Sequence, residues 1–355
     1  MKTATLTIMG TRLEDQPLVA GVARSQPITK VVPSFGYHPW FSHLIFDDRA
    51  GSSKLEAELK RDHYMSVLMP SPDEDFISQL PAPRPLSAAI AEIRAHLEEF
   101  PQALVGEIGL DRGFRLPFPS PDHVGPAGST PSRLEGHGLT PYRVNLDHQK
   151  MLFKAQLELA GSLGRAVSVH GVQCHGALLD TFRELWVGHE LPRESRKDQK
   201  RRRRKAATGG HEYLPDLGDS DLESEDEEVQ NKALAPKPFP PRICLHSFSA
   251  PLQTLKQYLA TPSPTTLYPS QLFFSFSSTI NAKPEKGHLS KIGETIKAVP
   301  DESLLIESDL HTAGELLDEA LGEALLLVSE IKGWELEEGT KQLGNNWRRF
   351  IFGQE

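Results

Sequence analysis

The chain is poor in cysteine and in long apolar runs. It has two cysteines among 355 residues, Cys174 and Cys244, which are too few for a disulfide framework, so we expect a reducing compartment. No apolar run approaches the roughly 18 residues that a membrane-spanning helix requires, and the N-terminal stretch MKTATLTIMGTR lacks the apolar region of a signal peptide. The sequence therefore predicts a soluble intracellular protein with no membrane partner.

Hydrophobic residues are scarce for a chain of this length. They make up 38% of it, whereas proline (28 residues) and glycine (27 residues) are abundant, which indicates a core diluted by long loops. The net charge of −9 gives no bulk electrostatic case for nucleic-acid binding. The length allows one large domain or two ordinary ones.

Strand-like and helix-like segments alternate along the chain. This order predicts a parallel sheet with crossover helices. Seven strands fit a TIM-type (β/α) barrel of the α/β class better than an open three-layer sheet, although alternation alone does not separate the two. The predicted strands are 3–9, 30–37, 104–108, 166–170, 242–246, 272–275 and 304–307, and the predicted helices are 16–24, 87–100, 148–163, 177–186, 251–259 and 313–332.

Two stretches interrupt this alternation. Residues 112–145 are crowded with proline, glycine and serine, which predicts a long, partly disordered loop insertion. Residues 193–241 pass from a basic block through an acidic block to a proline-rich end, which predicts a disordered charged insertion. Because the alternation resumes at 242, we expect one barrel domain spanning 1–355.

Polar side chains with metal-ligand chemistry stand at or just beyond the ends of the predicted strands. They are His38, Glu107, His170, His246 and Asp309. In a barrel, the C-terminal ends of all strands open on one face, where histidine and carboxylate groups can hold a divalent metal. Taken singly, each histidine is better explained as a capped or core residue, and Glu107 as half of a salt bridge. The set of them on successive strands favours a metal site.

Short motifs surround these residues in a fixed order along the chain. They are GYHPW at 36–40, GEIGLD at 106–111, VSVHG at 167–171, CLHSFSA at 244–250, FSFSS at 274–278, LLIESD at 304–309 and the closing NNWRRFIFG at 345–353. These motifs resemble those of the TatD family of metal-dependent deoxyribonucleases. The charged insertion and the SVHGVQCHG variant are most similar to the fungal branch named for interacting with a tetratricopeptide subunit of the anaphase-promoting complex.

The resemblance implies a barrel of the amidohydrolase type with one or two divalent ions, of Mg, Mn or Zn. It implies that Glu107, His170, His246 and Asp309 are metal ligands, Glu107 being the bridging carboxylate. Glu107 and Asp309 are the implied catalytic residues, and Asp309 would position and deprotonate the attacking water. The matching histidine of the family's GxHP motif, His38, lies near the site and is not generally a ligand.

The sequence departs from the family pattern in two places. The family's first strand carries His-x-His, and here the first histidine is His38, so the barrel lacks that strand and its two ligands. Either the sequence is truncated at an internal methionine, which we favour, or it is a degenerate, inactive relative. His170 is also not followed by the usual arginine, which leaves His175 and His311 as possible substrate contacts or as plain surface histidines.

Three functions remain open at this stage. The first is a metal-dependent hydrolase of phosphodiester bonds, a deoxyribonuclease acting on DNA ends. The alternative is a catalytically weakened or inactive scaffold that binds an anaphase-promoting-complex subunit, and the third is an amidohydrolase acting on a small amide or ester. The basic run KRRRRK at 200–205 suits nuclear import or a nucleic-acid backbone, so we expect location in the nucleus, the cytoplasm or both.

Overall fold

A seven-stranded parallel sheet forms the centre of the protein. The computed structural model describes residues 3–49, 51, 56–118, 138–193, 236–278 and 288–353. Each strand pairs in parallel with the next strand along the chain, so the spatial order equals the chain order. The sheet curls into a half-barrel, which confirms the predicted fold class. The strands are β1 (Leu6–Met9), β2 (Val31–Phe35), β3 (Leu104–Asp111), β4 (Val167–Val172), β5 (Arg242–Leu245), β6 (Gln271–Ser277) and β7 (Leu304–Glu307).

Helices connect these strands. Those predicted from the sequence are present within about two residues of their expected ends, and α2, α3, α8 and α10 were not predicted. None of the helices in the described ranges has the length and apolar character that crossing a bilayer requires. The helices are α1 (Gln16–Ser25), α2 (Glu56–Val67), α3 (Glu74–Gln79), α4 (Leu86–Glu99), α5 (Leu146–Ser162), α6 (His175–Trp186), α7 (Leu252–Leu259), α8 (His288–Ala298), α9 (Glu315–Lys332) and α10 (Leu336–Phe352).

The core lies between the sheet and the helices. All five residues of β2 are buried, as expected for a parallel strand covered on both faces. Helix α4 buries Leu86, Ala89, Ile93 and Leu97, and this spacing of three and four residues places them on one face of the helix. The amphipathic helices therefore pack their apolar faces on the sheet and leave its C-terminal edge open for polar groups.

Parts of both predicted insertions lie within the described residues. The two-residue strand Arg143–Val144 pairs with Leu68–Met69 in antiparallel fashion, which ties the end of the first insertion to the structure. Phe239, near the end of the second insertion, is 2% exposed and packs in the main core. Residues 119–137 and 194–235, including the basic run at 200–205, lie outside the described residues.

Three histidines cluster beside the turn that follows β2. His43 and His63 are buried, and the Nε2 atom of His63 lies 2.7 Å from the His43 carbonyl oxygen. The His148 ring lies 5.5 Å from that of His63 and contacts the Ser42 carbonyl oxygen through its Nε2 atom. Burial lowers the pKa of His43 to about 3 and that of His63 to about 4. These rings are therefore neutral in the folded protein near neutral pH.

This cluster predicts a loss of stability in mild acid. In the unfolded chain the imidazoles take up protons near pH 6.5, whereas in the folded protein they stay neutral down to about pH 4, so the free energy of unfolding falls as the pH drops below 6.5. At pH 5 we expect a loss of up to about 2 kcal/mol for each ring, measured by urea unfolding against pH 7.5. The His63→Gln variant keeps a donor for the His43 carbonyl and removes one titrating ring, so its loss should be smaller. An equal loss in this variant would contradict the assignment.

Candidate metal centre

The sheet brings four of the predicted ligands to one face. Glu107 lies on β3 and His170 on β4, while His246 directly follows β5 and Asp309 lies just beyond β7. These strands are parallel members of one sheet, so their C-terminal ends meet at the same edge. His38, which follows β2, lies beside them.

Glu107 is at the centre of this group. Its Oε1 atom lies 3.1 Å from His170 Nδ1, 3.4 Å from His38 Nε2 and 3.6 Å from His246 Nε2. His246 Nε2 is in turn 3.3 Å from Asp309 Oδ1. The side chains of Glu107 and the histidines are at least 85% buried, whereas that of Asp309 is 31% exposed. The predicted ligands therefore converge, with Asp309 on the solvent side.

These contacts fit a divalent cation. Tetrahedral ligands at about 2.1 Å from an ion lie about 3.4 Å from one another, and the contacts of Glu107 with His170 and His246 and of His246 with Asp309 span 3.1–3.6 Å. Two sets of three side chains have ligand atoms close enough to share an ion. They are His38, Glu107 and His170 on one side, and His246, Glu307 and Asp309 on the other.

His38 acts as a hydrogen-bond donor in this geometry. Its Nδ1 atom accepts a hydrogen bond from the Trp40 backbone N–H at 3.3 Å. Burial and the neighbouring His170 lower the pKa of His38, so its ring is neutral and the remaining hydrogen lies on Nε2, facing Glu107. In this state His38 donates to Glu107, and its place outside the ligand set stays a prediction.

Carboxylates dominate the electrostatics of the site. Burial alone would raise the pKa of Glu107, but the charge of His246 and hydrogen bonds from His170 and His38 hold it well below its usual range. Burial opposes protonation of His170, yet its contacts with Asp111 and Glu107 raise its pKa to about 9. For His246, burial is likewise outweighed by Glu307 and Glu107, so its pKa is raised. The same negative field attracts a divalent cation.

Backbone strain is concentrated at this edge of the sheet. Within the described ranges, the non-glycine residues with positive φ are Gln173 (55°), Ser247 (41°) and Asp309 (53°). Each of them follows the C-terminal end of a sheet strand. Such conformations cost about 1–3 kcal/mol each and accumulate where a binding site needs side chains in fixed directions.

Two buried glutamines of α5 hold the backbone of the site. Gln149 accepts from the Asp111 N–H at 2.8 Å and donates to the Asp111 carbonyl at 2.9 Å. Gln156, seven residues later, makes the same pair of contacts with Tyr37, at 2.7 and 3.1 Å. Each side-chain amide thus makes the pair of hydrogen bonds that the backbone of a neighbouring strand would make, at the points where β2 and β3 end. These bonds fix the positions of His38 and of the end of β3.

We expect Gln156→Leu to lower the free energy of unfolding by about 2–4 kcal/mol. The variant leaves the N–H and carbonyl of Tyr37 buried without partners, and each lost partner costs about 1–3 kcal/mol. Chemical unfolding measures the effect. The matched control is Gln257→Leu on α7, where the glutamine is exposed and a change within about 0.5 kcal/mol is expected. Equal stability of the two variants would contradict the role of Gln156.

His175 and His311, the two possible substrate contacts expected from the sequence, differ in their surroundings. His175 begins α6, partly buried, with its ring 5.3 Å from that of Phe248 and its Nδ1 atom 3.3 Å from the Tyr258 hydroxyl. Burial and His170 lower the pKa of His175 to about 4, so it is neutral. His311 is exposed on the segment between β7 and α9. A role for either in substrate contact stays a prediction.

Sequence reasoning missed two carboxylates of the site. Asp111 Oδ2 lies 3.1 Å from His170 Nε2, and Glu307 Oε2 lies 2.9 Å from His246 Nδ1. For Asp111 the signal was present, because it follows Glu107 by four residues on β3. An even spacing on a strand places side chains on the same face.

Comparison with known protein families shows to which family the chain belongs. The family described as TatD related DNase matches residues 1–352. The chain belongs to the TatD family. It is 37% identical over 347 residues to the Cut9-interacting protein scn1 of Schizosaccharomyces pombe, covering 98% of this chain and 91% of that protein. It is 27% identical over 341 residues to the uncharacterized deoxyribonuclease YMR262W of Saccharomyces cerevisiae, covering 92% and 84%.

A solved TatD structure shows the same fold. The TatD homologue YJJV of Escherichia coli superposes with a TM-score of 0.51 at 15% identity, covering 99% of this chain and 87% of that one. At the level of the TatD family, the chain is a metal-dependent hydrolase or nuclease. The converging ligands described above are the candidate place for the metal.

Proposed function

We propose that this TatD protein is a phosphodiesterase that removes nucleotides from DNA ends with the help of a divalent ion. The observation that carries the proposal is the position of Glu107, whose Oε1 atom lies within 3.6 Å of two imidazole nitrogens on neighbouring strands, His170 Nδ1 and His246 Nε2. Glu107, His170, His246 and Asp309 would hold the ion.

The donor set fits this chemistry. Imidazole and carboxylate together suit zinc or manganese, and carboxylate alone suits magnesium. A bound divalent ion lowers the pKa of an attacking water and stabilises charge on a phosphoryl oxygen. Buried Glu107 holds its negative charge in place, and burial by the surrounding histidines excludes bulk water from this side of the site.

Asp309 is the residue best placed to accept a proton. Its side chain is 31% exposed, compared with 15% for Glu107 and Glu307, so water can approach its carboxylate. Its Oδ1 atom contacts His246 Nε2 at 3.3 Å, which keeps it within the ligand group. We assign to Asp309 the orientation and deprotonation of the attacking water, in accordance with general-base catalysis.

The test uses the full chain, stripped with a chelator and reloaded with Mn²⁺, Mg²⁺ or Zn²⁺. End-labelled single-stranded DNA, a phosphodiester dye and an amide panel are incubated side by side. We expect stepwise shortening of the DNA that requires the metal and is lost in Asp309→Asn, whereas Asp301→Asn, at the other end of β7, retains it. A protein that binds none of the three ions would refute the proposal, and cleavage of amides alone would favour the amidohydrolase reading.

We propose a protein-binding role as the second candidate. A relative that matches 98% of this chain is named for interaction with Cut9, which favours a protein partner, and we propose a tetratricopeptide subunit of the anaphase-promoting complex. Pull-down of such a subunit by wild type and by a variant with all four ligands replaced separates the roles. Equal capture by both, with no hydrolysis by wild type, would favour a scaffold.

A further inference from the structure

His170 lies between two carboxylates, one on each ring nitrogen. Its Nδ1 atom is 3.1 Å from Glu107 Oε1, and its Nε2 atom is 3.1 Å from Asp111 Oδ2. A metal-bound histidine uses one nitrogen for the ion and donates the hydrogen on the other to an acceptor. Which nitrogen binds the ion therefore depends on which carboxylate is fixed as the acceptor.

Hydrogen bonds hold both carboxylate oxygens of Asp111 in place. Its Oδ2 atom accepts from the indole Nε1–H of Trp40 at 2.6 Å, and its Oδ1 atom accepts from the backbone N–H groups of Gly113 and Phe114 at 2.7 and 2.9 Å. The Asp111 side chain is 4% exposed, and its backbone is held by Gln149. This carboxylate has a fixed position and little freedom to bind a cation. Glu107, by contrast, faces the other ligands of the site.

We propose that Trp40 and Asp111 are positioning residues that hold His170 with its Nε2–H on Asp111 and its Nδ1 atom directed at the metal. The inference rests on the proposed metal-dependent function. It adds which nitrogen of His170 binds and which residues outside the ligand set determine this.

Trp40 acts on two histidines at once. Its backbone N–H donates to Nδ1 of His38, and its indole N–H donates to Asp111, which holds His170. The ring of Phe114 stacks on the indole at 4.9 Å with an angle of 15°, which keeps the indole N–H directed at the carboxylate. The backbone of Trp40 therefore makes His38 a donor to Glu107, and its side chain holds the carboxylate that directs Nδ1 of His170 at the metal.

His246 has the opposite arrangement. Its Nδ1 atom lies 2.9 Å from Glu307 Oε2, and its Nε2 atom faces Glu107 and Asp309. Glu307 is itself held by the hydroxyl groups of Ser247 and Ser275. The two histidines thus bind the ion through different ring nitrogens, each with a carboxylate on its far side.

The test measures zinc affinity of the full chain by competition with a chromophoric chelator. For Asp111→Asn we expect about 10- to 100-fold weaker binding, the usual effect of removing a group that orients a ligand, and for Trp40→Phe a smaller loss of about 3- to 10-fold. The matched control is Trp186→Phe on α6, which removes the buried hydrogen bond from the Trp186 indole to Ser270 Oγ. It should lower thermal stability and leave zinc affinity unchanged.

A second readout does not depend on affinity. In the ¹⁵N spectrum of the zinc-loaded wild type, His170 should show a metal-bound Nδ1 and a protonated Nε2, and His246 the reverse. Parental affinity in both Trp40→Phe and Asp111→Asn, or binding of His170 through Nε2, would overturn the inference while leaving the proposed function standing. A wild type that binds no zinc, manganese or magnesium would overturn both.

Discussion

The Glu107→Gln variant is expected to lose at least about 1,000-fold in kcat/KM on DNA, because it removes the charge at the centre of the site. Glu107 Oε1 contacts both His170 and His246. Charge stabilisation by a bound ion is worth several kcal/mol in such reactions, and about 4 kcal/mol corresponds to a factor of about 1,000. The amide keeps the shape of the side chain, so the loss reports on charge and ligation.

The matched control for this variant is Glu99→Gln. Glu99 ends α4, before β3 begins, and forms an exposed ion pair with Arg24, so its replacement should leave activity and metal affinity unchanged. The measurement combines single-turnover cleavage of labelled DNA with isothermal titration of the metal. Retention of activity and metal affinity by Glu107→Gln would remove the main support for a metal centre at this position.

The Gly109→Ala variant is expected to lower the free energy of unfolding by about 3–5 kcal/mol. Gly109 has φ = 146°, a conformation that side chains rarely adopt, and a Cβ atom there would lie 2.1 Å from the His170 carbonyl oxygen. Backbone strain and a forced separation of packed atoms each cost about 1–3 kcal/mol. Because β3 and β4 pair at Gly109 and His170, the displaced strand also moves a ligand. A melting temperature lower by about 10 °C is the expected reading.

Gly322→Ala serves as the control for that substitution. Gly322 lies inside α9, with open space where a Cβ atom would stand. Alanine in a helix interior is favoured over glycine by about 0.5–1 kcal/mol, so this variant should be slightly more stable than wild type. If both variants melt at the wild-type temperature, the close approach of β3 to β4 is not as described.

The strands of the sheet could be predicted from the sequence, because each is a short apolar run with a distinct end. β7 has the predicted bounds, and the other strands differ by a few residues. α10 was missed because two glycines and two asparagines obscure its period. Two of those residues serve tertiary contacts instead: Asn346 is buried and donates to the carbonyls of Asp301 and Leu304, and Gly339 leaves room for Ser329.

Of the candidate site, only the residues that would contact the ion could be predicted from the sequence. Histidines and acidic residues at strand ends can be recognised as candidate ligands, because parallel strands bring their C-terminal ends together. Trp40 and Asp111 are 71 residues apart, and Ser275 meets Glu307 across 32 residues, so nothing local marks them as partners. Their roles depend on side-chain directions that follow from packing, which a pattern of polar and apolar residues does not encode.

The spacing of the two glutamines on α5 constrains how the protein can diverge. Seven residues of helix advance about 10.5 Å and return to nearly the same face, so Gln149 and Gln156 meet the ends of two adjacent strands together. One residue inserted between them would turn the second amide by about 100° and leave Tyr37 without its partner. The length of the helix between these two positions should therefore tolerate no insertion or deletion.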